Sequence, residues 1–337
     1  MSQTVKAVRI EAFGGPEVMK FVDVAVGEPG PGEARIRHRA IGINFIDIYQ
    51  RAGVYPNPLP LQMGMEGSGT VEAVGKGVTH IKVGDRVAYA DNPPGAYCEA
   101  RVMPAKPLIK IPKAISFETG AAMMLKGMTA HYLLKRTANL QKGHTILFHA
   151  AAGGVGLIAM QIAKRLGVTV IGTVGSDEKA VLAKKYGCDH TIIYTRENVA
   201  ERVKAITKGR GVDVVFDSVG KDTFQGSLDS LRKYGLMVTY GNSSGKVPPV
   251  DIALLKGSLF LTRPSLFPYT QSREELELTA NDLVKLVASK AIHIPVERTY
   301  AFADVQQAHR DLESRKTVGC SILIPGLKMA SCRIISA

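Results

Sequence analysis

Apolar and polar residues alternate with a period of two along Val5-Lys-Ala-Val-Arg-Ile10 and again along Ala34-Arg-Ile-Arg-His-Arg-Ala40. That period predicts half-buried strands. Gly27-Glu-Pro-Gly-Pro-Gly32 lies between them as dense turn chemistry. Thr70-Val-Glu-Ala-Val74 and Arg86-Val-Ala-Tyr-Ala90 repeat the alternation around Gly75, Gly77, Gly84 and Asp85. Residues 4–104 therefore read as a compact, partly open barrel of strands spaced by glycine turns.

From about residue 116 the period becomes helical. Ser116 caps a helix that begins at Phe117, carries Glu118 and runs through alanines and methionines to Leu125. A second helix is expected to run to about Lys135. Beyond it, strands are expected at Thr145–His149, Val168–Thr173, His190–Tyr194, Val212–Asp217, Gly235–Tyr240 and Leu259–Thr262. Helices at Val155–Leu166, Asp177–Tyr186, Val199–Thr207 and Thr223–Leu231 alternate with them. Strands and helices at this spacing require a parallel sheet covered on both faces, which makes the class α/β with a doubly wound Rossmann sheet.

The segment 265–325 holds amphipathic helices at Glu274–Lys290 and around Asp304–Glu313, then an apolar strand, Cys320-Ser-Ile-Leu-Ile324. It is too small for a core of its own and is expected to rejoin the β-rich part. Residues 1–127 with 265–337 then form one domain and 128–264 the other, with the ligand cleft between them. Gly326–Ala337 reads as a loosely held tail.

A chain of 337 residues, 45% apolar and 22% charged, is the size and composition of a two-domain globular protein. No run approaches the ~18 apolar residues of a membrane span, and Ser2-Gln-Thr-Val-Lys-Ala leads straight into a strand rather than a signal region. Cys98, Cys188, Cys320 and Cys332 show neither metal-ligand nor redox spacing. Thiols in a reducing cytoplasm are the expectation. The net charge of +13 admits nucleic acid or a phosphate-bearing cofactor as a partner. Lys and Arg are dispersed, however, with no basic run and no nucleic-acid-binding signature.

The chemistry concentrates at His149-Ala-Ala-Ala-Gly153-Gly154-Val155-Gly156-Leu157, where an apolar strand turns through glycines into a helix. Such a corner lets backbone N–H groups approach a pyrophosphate at the positive end of the helix. Ala151-x-Gly153-x-x-Gly156 is the dinucleotide fingerprint with alanine first. NAD sites place an acid at the end of the second strand to hold the ribose hydroxyls. Here that place reads Gly172-Thr-Val-Gly175-Ser176, with Asp177 and Glu178 falling in the first turn of the next helix. With no acid at the strand end, a 2′-phosphate is tolerated. Ser176, Lys179 and Tyr194 are candidates to hold it, against the alternatives of a solvated lysine and a packed tyrosine.

Further motifs stand in order along the chain. Asn44-Phe-Ile-Asp-Ile-Tyr49, Gly64-Met-Glu-Gly-Ser-Gly-Thr70 and Val83-Gly-Asp-Arg-Val87 precede the glycine turn. Asp217-Ser-Val-Gly220, Tyr240-Gly-Asn-Ser-Ser244 and Arg263-Pro-Ser265 follow it. Together they resemble the zinc-free NADPH:quinone oxidoreductases, the zeta-crystallin-like branch of the medium-chain dehydrogenase/reductase superfamily. The resemblance covers residues 5–325. It implies a GroES-like catalytic domain beside the Rossmann domain, NADPH as cofactor and a homodimer.

The resemblance also implies site residues. On the nicotinamide side these are Asn44, Asp47 and Thr129, although Asn-x-x-Asp by itself reads as a helix cap. At the glycine turn they are Ala152, Gly153, Gly154, Val155 and Gly156. Gly175, Ser176, Lys179, Tyr194 and Arg315 match the 2′-phosphate end. Ser218, Tyr240, Asn242, Ser243 and Leu266 lie on the loops past later strands. Tyr49 and Tyr55 match tyrosines lining a quinone pocket, where a phenol can stack on a flat acceptor and donate to its oxygen.

A catalytic zinc needs three converging protein ligands. Zinc-dependent relatives carry a cysteine where this chain has Asn44, and Gly-His-Glu where it has Gly64-Met65-Glu66. Glu66 is read as a structural carboxylate, the four-cysteine lobe is replaced by Asp91-Asn-Pro-Pro-Gly-Ala-Tyr97, and no metal is expected. His38, His80, His131, His144, His149 and His190 are read as structural. The leading expectation is hydride transfer from NADPH to a quinone. Conjugated enones, enals or enoyl thioesters are the alternative acceptors. An NADPH-binding structural or RNA-binding protein is the alternative of a different class.

Overall fold

The computed structural model describes residues 3–315 and 317–327; residues 328–337, with Cys332 and most of the expected tail, lie outside them. The chain divides into two compact units, Met1–Lys126 with Thr270–Ala337, and Gly127–Tyr269.

The first unit opens with strands β1 (Gln3–Ile10), β2 (Lys20–Val26) and β3 (Glu33–Ile43), then helix α1 (Phe45–Arg51). Strands β4 (Leu61–Gln62), β5 (Glu66–Val74), β6 (Arg86–Ala90), β7 (Ala100–Pro104) and β8 (Ile109–Lys110) follow. Along β3 the alternation buries Ala34, Ile36, His38 and Ala40 on one face. β2 and β7, which are not among the strands named from the sequence, pair with β1 and β3.

Helix α2 (Phe117–His131) passes without a break into a π-helical turn, Tyr132–Thr137. The two helices expected here are thus one. No proline interrupts the stretch, so the helical path continues through the π turn.

The second unit continues with β9 (Thr145–Phe148), α3 (Gly154–Arg165), β10 (Thr169–Val174), α4 (Asp177–Lys185), β11 (His190–Ile193) and α5 (Val199–Ile206). It ends with β12 (Val212–Asp217), α6 (Phe224–Asp229), β13 (Leu231–Thr239) and β14 (Phe260–Thr262). Sheet order is β11-β10-β9-β12-β13-β14, all parallel, with its reversal at β9. All six residues of β12 are buried, as a strand covered on both faces requires. Leu147, Ile171, Ile192, Val215 and Met237 form its core. β13 begins at Leu231 rather than Gly235, because Leu231 pairs with Val212 before a register shift resets the pairing at Val214 and Leu236.

The chain leaves this unit after Tyr269, not at 264. Tyr269 stacks on Tyr132 of the π turn at 4.6 Å and takes the Thr137 hydroxyl on its own at 2.9 Å. Helix α7 (Arg273–Ala288), β15 (Val296–Ala301), α8 (Val305–Glu313) and β16 (Cys320–Ile324) complete the first unit. β16 pairs antiparallel with β3, Ile322 opposite Gly42, and the seven-stranded sheet becomes β15-β16-β3-β5-β6-β8 with β7 on β3. A second sheet, β2-β1-β4, packs its Val8 and Ile10 into the same core as Ile36, Tyr89, Tyr97 and Leu323. Among the described residues no helix is long and apolar enough to cross a membrane.

Candidate active site

In the dinucleotide unit the glycine turn is built by close approach. Ala150 takes a left-handed conformation with φ of 54°. The Gly153 N–H closes the turn on the Ala150 carbonyl, and the Ala151 N–H donates to Thr173 at the end of β10. A Cβ on Gly156 would lie 2.5 Å from the carbonyl oxygens of Ala150 and Ala151, so only glycine lets α3 start this near the strand. On Gly153 the nearest atom would be 3.2 Å away. Gly153 is the N-cap of α3 and supplies no side-chain cap. The first-turn N–H groups of Gly154, Val155 and Gly156 are thus left for an anion, and the cradle fits a pyrophosphate.

The loops past the neighbouring strands surround that turn. Gly241 has no room for a Cβ against Ser218, whose carbonyl oxygen would sit 2.5 Å from it. The Ser243 N–H donates to Ser218 and the Ser244 N–H to Val219, which locks the loop after β13 to the loop after β12. Tyr240 sits at the end of β13 and Asn242 is buried in the loop that follows. At the end of β10 the Ser176 hydroxyl caps α4 by accepting the Lys179 N–H, and half-buried Lys179 has its ammonium pKa lowered by burial. The Tyr194 hydroxyl lies 2.9 Å from where a Gly175 Cβ would stand. Ala152, Gly153, Gly154, Val155, Gly156, Gly175, Ser176, Lys179, Tyr194, Ser218, Tyr240, Asn242 and Ser243 thus all stand at the carboxyl ends of the sheet strands. Thr129 is buried on α2 and Leu266 is buried just before the turn that ends at Tyr269.

Below the turn, His149 is held between Thr173 Oγ1 and Ser227 Oγ, each at 3.0 Å. Ser227 donates its proton to Asp217 at 2.8 Å, so His149 Nε2 donates to Ser227 and Nδ1 accepts from Thr173. Asp217 also takes the N–H groups of Val219 and Gly220 and the Thr223 hydroxyl. Serine, histidine and aspartate therefore meet, but with serine in the middle and all three buried. The arrangement stiffens the 217–220 loop and offers no nucleophile.

In the first unit Asn44 is the N-cap of α1. Its amide is turned inward: Nδ2 donates to Glu66 at 2.9 Å and Oδ1 accepts from Lys126 Nζ at 2.7 Å. An ammonium only donates and a carboxylate only accepts, which fixes the amide's orientation and leaves one Nδ2 hydrogen free of that pair. Lys126 also donates to the Ile43 carbonyl and stands 3.6 Å from Glu66. Glu66 takes the Leu125 N–H on its other oxygen, and burial raises its pKa against the pull of Lys126. The capping acceptor is Asp47, whose Oδ2 receives the Asn44 N–H at 2.8 Å. Asn-x-x-Asp is therefore a cap at its backbone and a polar network at its side chains.

Asp47 ends a directed chain. Arg51 donates to His309 Nδ1 at 3.0 Å, His309 Nε2 meets the Tyr97 hydroxyl at 3.0 Å, and Tyr97 donates to Asp47 at 2.9 Å. Arginine only donates, so each later donor is fixed in turn. Burial is the main cause that holds His309 neutral with a pKa of about 3 and raises Asp47 to about 7. Tyr49 and Tyr55 meet edge to face at 5.1 Å, and Phe45 lies 5.8 Å from Tyr49, giving α1 a half-buried aromatic face. Asn44, Asp47, Tyr49 and Tyr55 are thus gathered on one helix and the turn after it. Arg315 is exposed in the turn after α8.

Lys126, Arg51, Tyr97 and His309 escape sequence inspection. Only Lys126 carries a local signal, a lone charge within the apolar run Ala121–Met128. Among the described residues no three His, Cys, Asp or Glu side chains are grouped to hold a metal ion.

A parallel six-stranded sheet with an uncapped glycine turn in one unit, and a buried polar cluster in a β-rich unit, are the parts of a dinucleotide-dependent dehydrogenase or reductase. Residues 30–176 match the alcohol dehydrogenase GroES-like domain and 154–284 the zinc-binding dehydrogenase family. A quinone oxidoreductase of Pseudomonas aeruginosa is 51% identical over 95% of this chain and 99% of its own. The crystal structure of Escherichia coli quinone oxidoreductase complexed with NADPH superposes with a TM-score of 0.93 at 49% identity, covering 95% of this chain and 100% of that one. A 2-haloacrylate reductase of a Burkholderia species is 45% identical over 95% of this chain and 99% of its own. The chain belongs to the quinone oxidoreductase branch of the medium-chain dehydrogenase/reductase superfamily.

Proposed function

We infer that this protein is an NADPH:quinone oxidoreductase. The observation that carries this is its half-identity, over nearly the whole chain, to quinone oxidoreductases that include an NADPH complex. The local chemistry agrees with it. The glycine turn has room and N–H groups for a pyrophosphate, and no acid stands at the end of β10. Bound NADPH would supply the hydride.

The residues' own tasks follow from their positions. Gly153 to Gly156 would hold the pyrophosphate on the N-terminus of α3. Ser176, Lys179 and Tyr194, with Arg315, would hold the 2′-phosphate. Ser218, Tyr240, Asn242, Ser243, Thr129 and Leu266 would line the remaining length of the cofactor. Asn44, fixed by Glu66 and Lys126, would present its remaining amide hydrogen to the nicotinamide end. Tyr49 and Tyr55 would face a flat acceptor and donate to the oxygen that gains charge. Asp47, near neutral pH in its ionisation, would hold or release a proton at the start of α1.

The similarity to a 2-haloacrylate reductase supports a second acceptor class, conjugated acids and carbonyls. A panel of simple quinones and 2-alkenals, followed by the fall in NADPH absorbance, separates the two. Turnover with quinones and none with alkenals supports the first reading, and the reverse replaces it. No turnover with either removes both.

Phe260 is 61% exposed on the three-residue edge strand β14, and this apolar edge supports a homodimer paired through it. Sedimentation at monomer mass would exclude that assembly. Buried free thiols at Cys98, Cys188 and Cys320 support a cytoplasmic location.

A further inference from the structure

The two acids that follow β10 are the groups that ought to disfavour a 2′-phosphate, and Asp177, the first of them, is occupied. Arg196 Nη1 donates to Asp177 Oδ2 at 2.8 Å and Nη2 donates to Oδ1 at 2.6 Å, so one guanidinium takes both oxygens. Arg196 belongs to the turn after β11, its N–H closing on the Ile193 carbonyl. The same turn brings the Tyr194 hydroxyl over Gly175 and the Thr195 hydroxyl to the Gly175 carbonyl at 3.4 Å. Residues 194–196 are thus laid along 175–177, with Arg196 at Asp177. At the second acid, Glu178, the neighbouring Ser176 side chain lowers the carboxyl pKa below its ordinary value.

We propose that Arg196 is a specificity-determining residue that selects NADPH over NADH by masking Asp177. This rests on the reading that Ser176, Lys179 and Tyr194 hold the 2′-phosphate. An unpaired carboxylate in the first turn of α4 offers an acceptor to the ribose hydroxyls and repels a phosphate. Locked in a two-point pair, it does neither. Both partners are largely exposed, so the charge effect is screened and moderate.

Titrating NADPH and NADH into the wild type and the Arg196→Gln, Asp177→Asn and doubly substituted proteins tests this. Arg196→Gln is expected to weaken NADPH roughly three- to tenfold at low ionic strength, the deficit shrinking with added salt, and to leave NADH as tight or tighter. Asp177→Asn should keep NADPH within about twofold of the wild type. Restoration of NADPH in the double variant marks Arg196 as a mask. A double variant as weak as Arg196→Gln would mean that Arg196 grips the phosphate itself and would overturn the proposal. So would an Arg196→Gln protein with the wild-type preference. A wild type that binds both cofactors equally would instead defeat the underlying 2′-phosphate assignment.

Discussion

Tyr97 places its hydroxyl proton on Asp47 across 2.9 Å while its oxygen takes the Nε2 hydrogen of His309. The phenol is therefore a one-way link whose direction is set by Arg51. Tyr97→Phe breaks it in both directions, stranding the His309 donor and removing one of the two hydrogen bonds that stabilise ionised Asp47. A loss of about 1–3 kcal/mol in urea unfolding is expected. The acid limb of the pH profile for NADPH oxidation should also move upward, because Asp47 loses a bond that favours its charge. An unmoved profile would show that Asp47 does not govern the rate.

Lys126 is the only cation in direct contact with the Asn44–Glu66 pair among the described residues, and it is buried beside them. Lys126→Met keeps the volume and leaves a buried carboxylate unpaired. Destabilisation of about 3–5 kcal/mol is expected. Combining it with Glu66→Gln should recover much of that, and a denaturant series on the three proteins reads the recovery directly. Strict additivity would argue against the pairing.

The two glycines of the turn should separate folding from binding. Gly156→Ala drives a Cβ into two carbonyl oxygens at 2.5 Å, so thermal stability falls. Gly153→Ala meets its nearest atom at 3.2 Å and should melt close to the wild type while binding NADPH more weakly. Melting curves alongside cofactor titrations distinguish them. Equal melting losses would contradict this assignment of roles.

Buried histidines make the protein sensitive to acid. Burial lowers the pKa of His38 from 6.5 to about 4 and that of His309 to about 3, and it depresses His149 as well. Below 6.5 the unfolded chain binds protons that the folded one refuses, so stability drops as pH falls through this range. His38 alone accounts for roughly 3 kcal/mol over its whole window. Asp47 works the other way: its raised value of about 7 means folded protein holds a proton that the unfolded chain releases down to 3.8. Melting temperatures should decline from pH 7 to pH 5, and Asp47→Asn should make the decline steeper.

The parallel sheet was legible because six apolar strands and their helices each carry a local period. The turn at Gly156 was legible because close approach leaves a glycine behind. The empty place for an acid after β10 could be seen for the same reason, as a local fact. The Arg51–His309–Tyr97–Asp47 chain could not, since its middle bond joins residues 212 positions apart. No spacing rule reaches across an inserted unit. Lys126 showed only as an anomaly in an apolar helix, and its partner Glu66 as a remnant of a metal motif. The π turn was hidden because its residues satisfy an ordinary helical pattern.

The pairing of β16 with β3 has a consequence during synthesis. Ile41, Gly42 and Ile43 form an edge whose partner, residues 321–323, leaves the ribosome only after all of Gly127–Tyr269. The nucleotide unit is contiguous and can finish folding first, whereas the unit that begins the chain must wait with an apolar edge open. A nascent chain halted before Cys320 therefore leaves this edge open to wrong pairing, and residues 321–323 act as its closing seam.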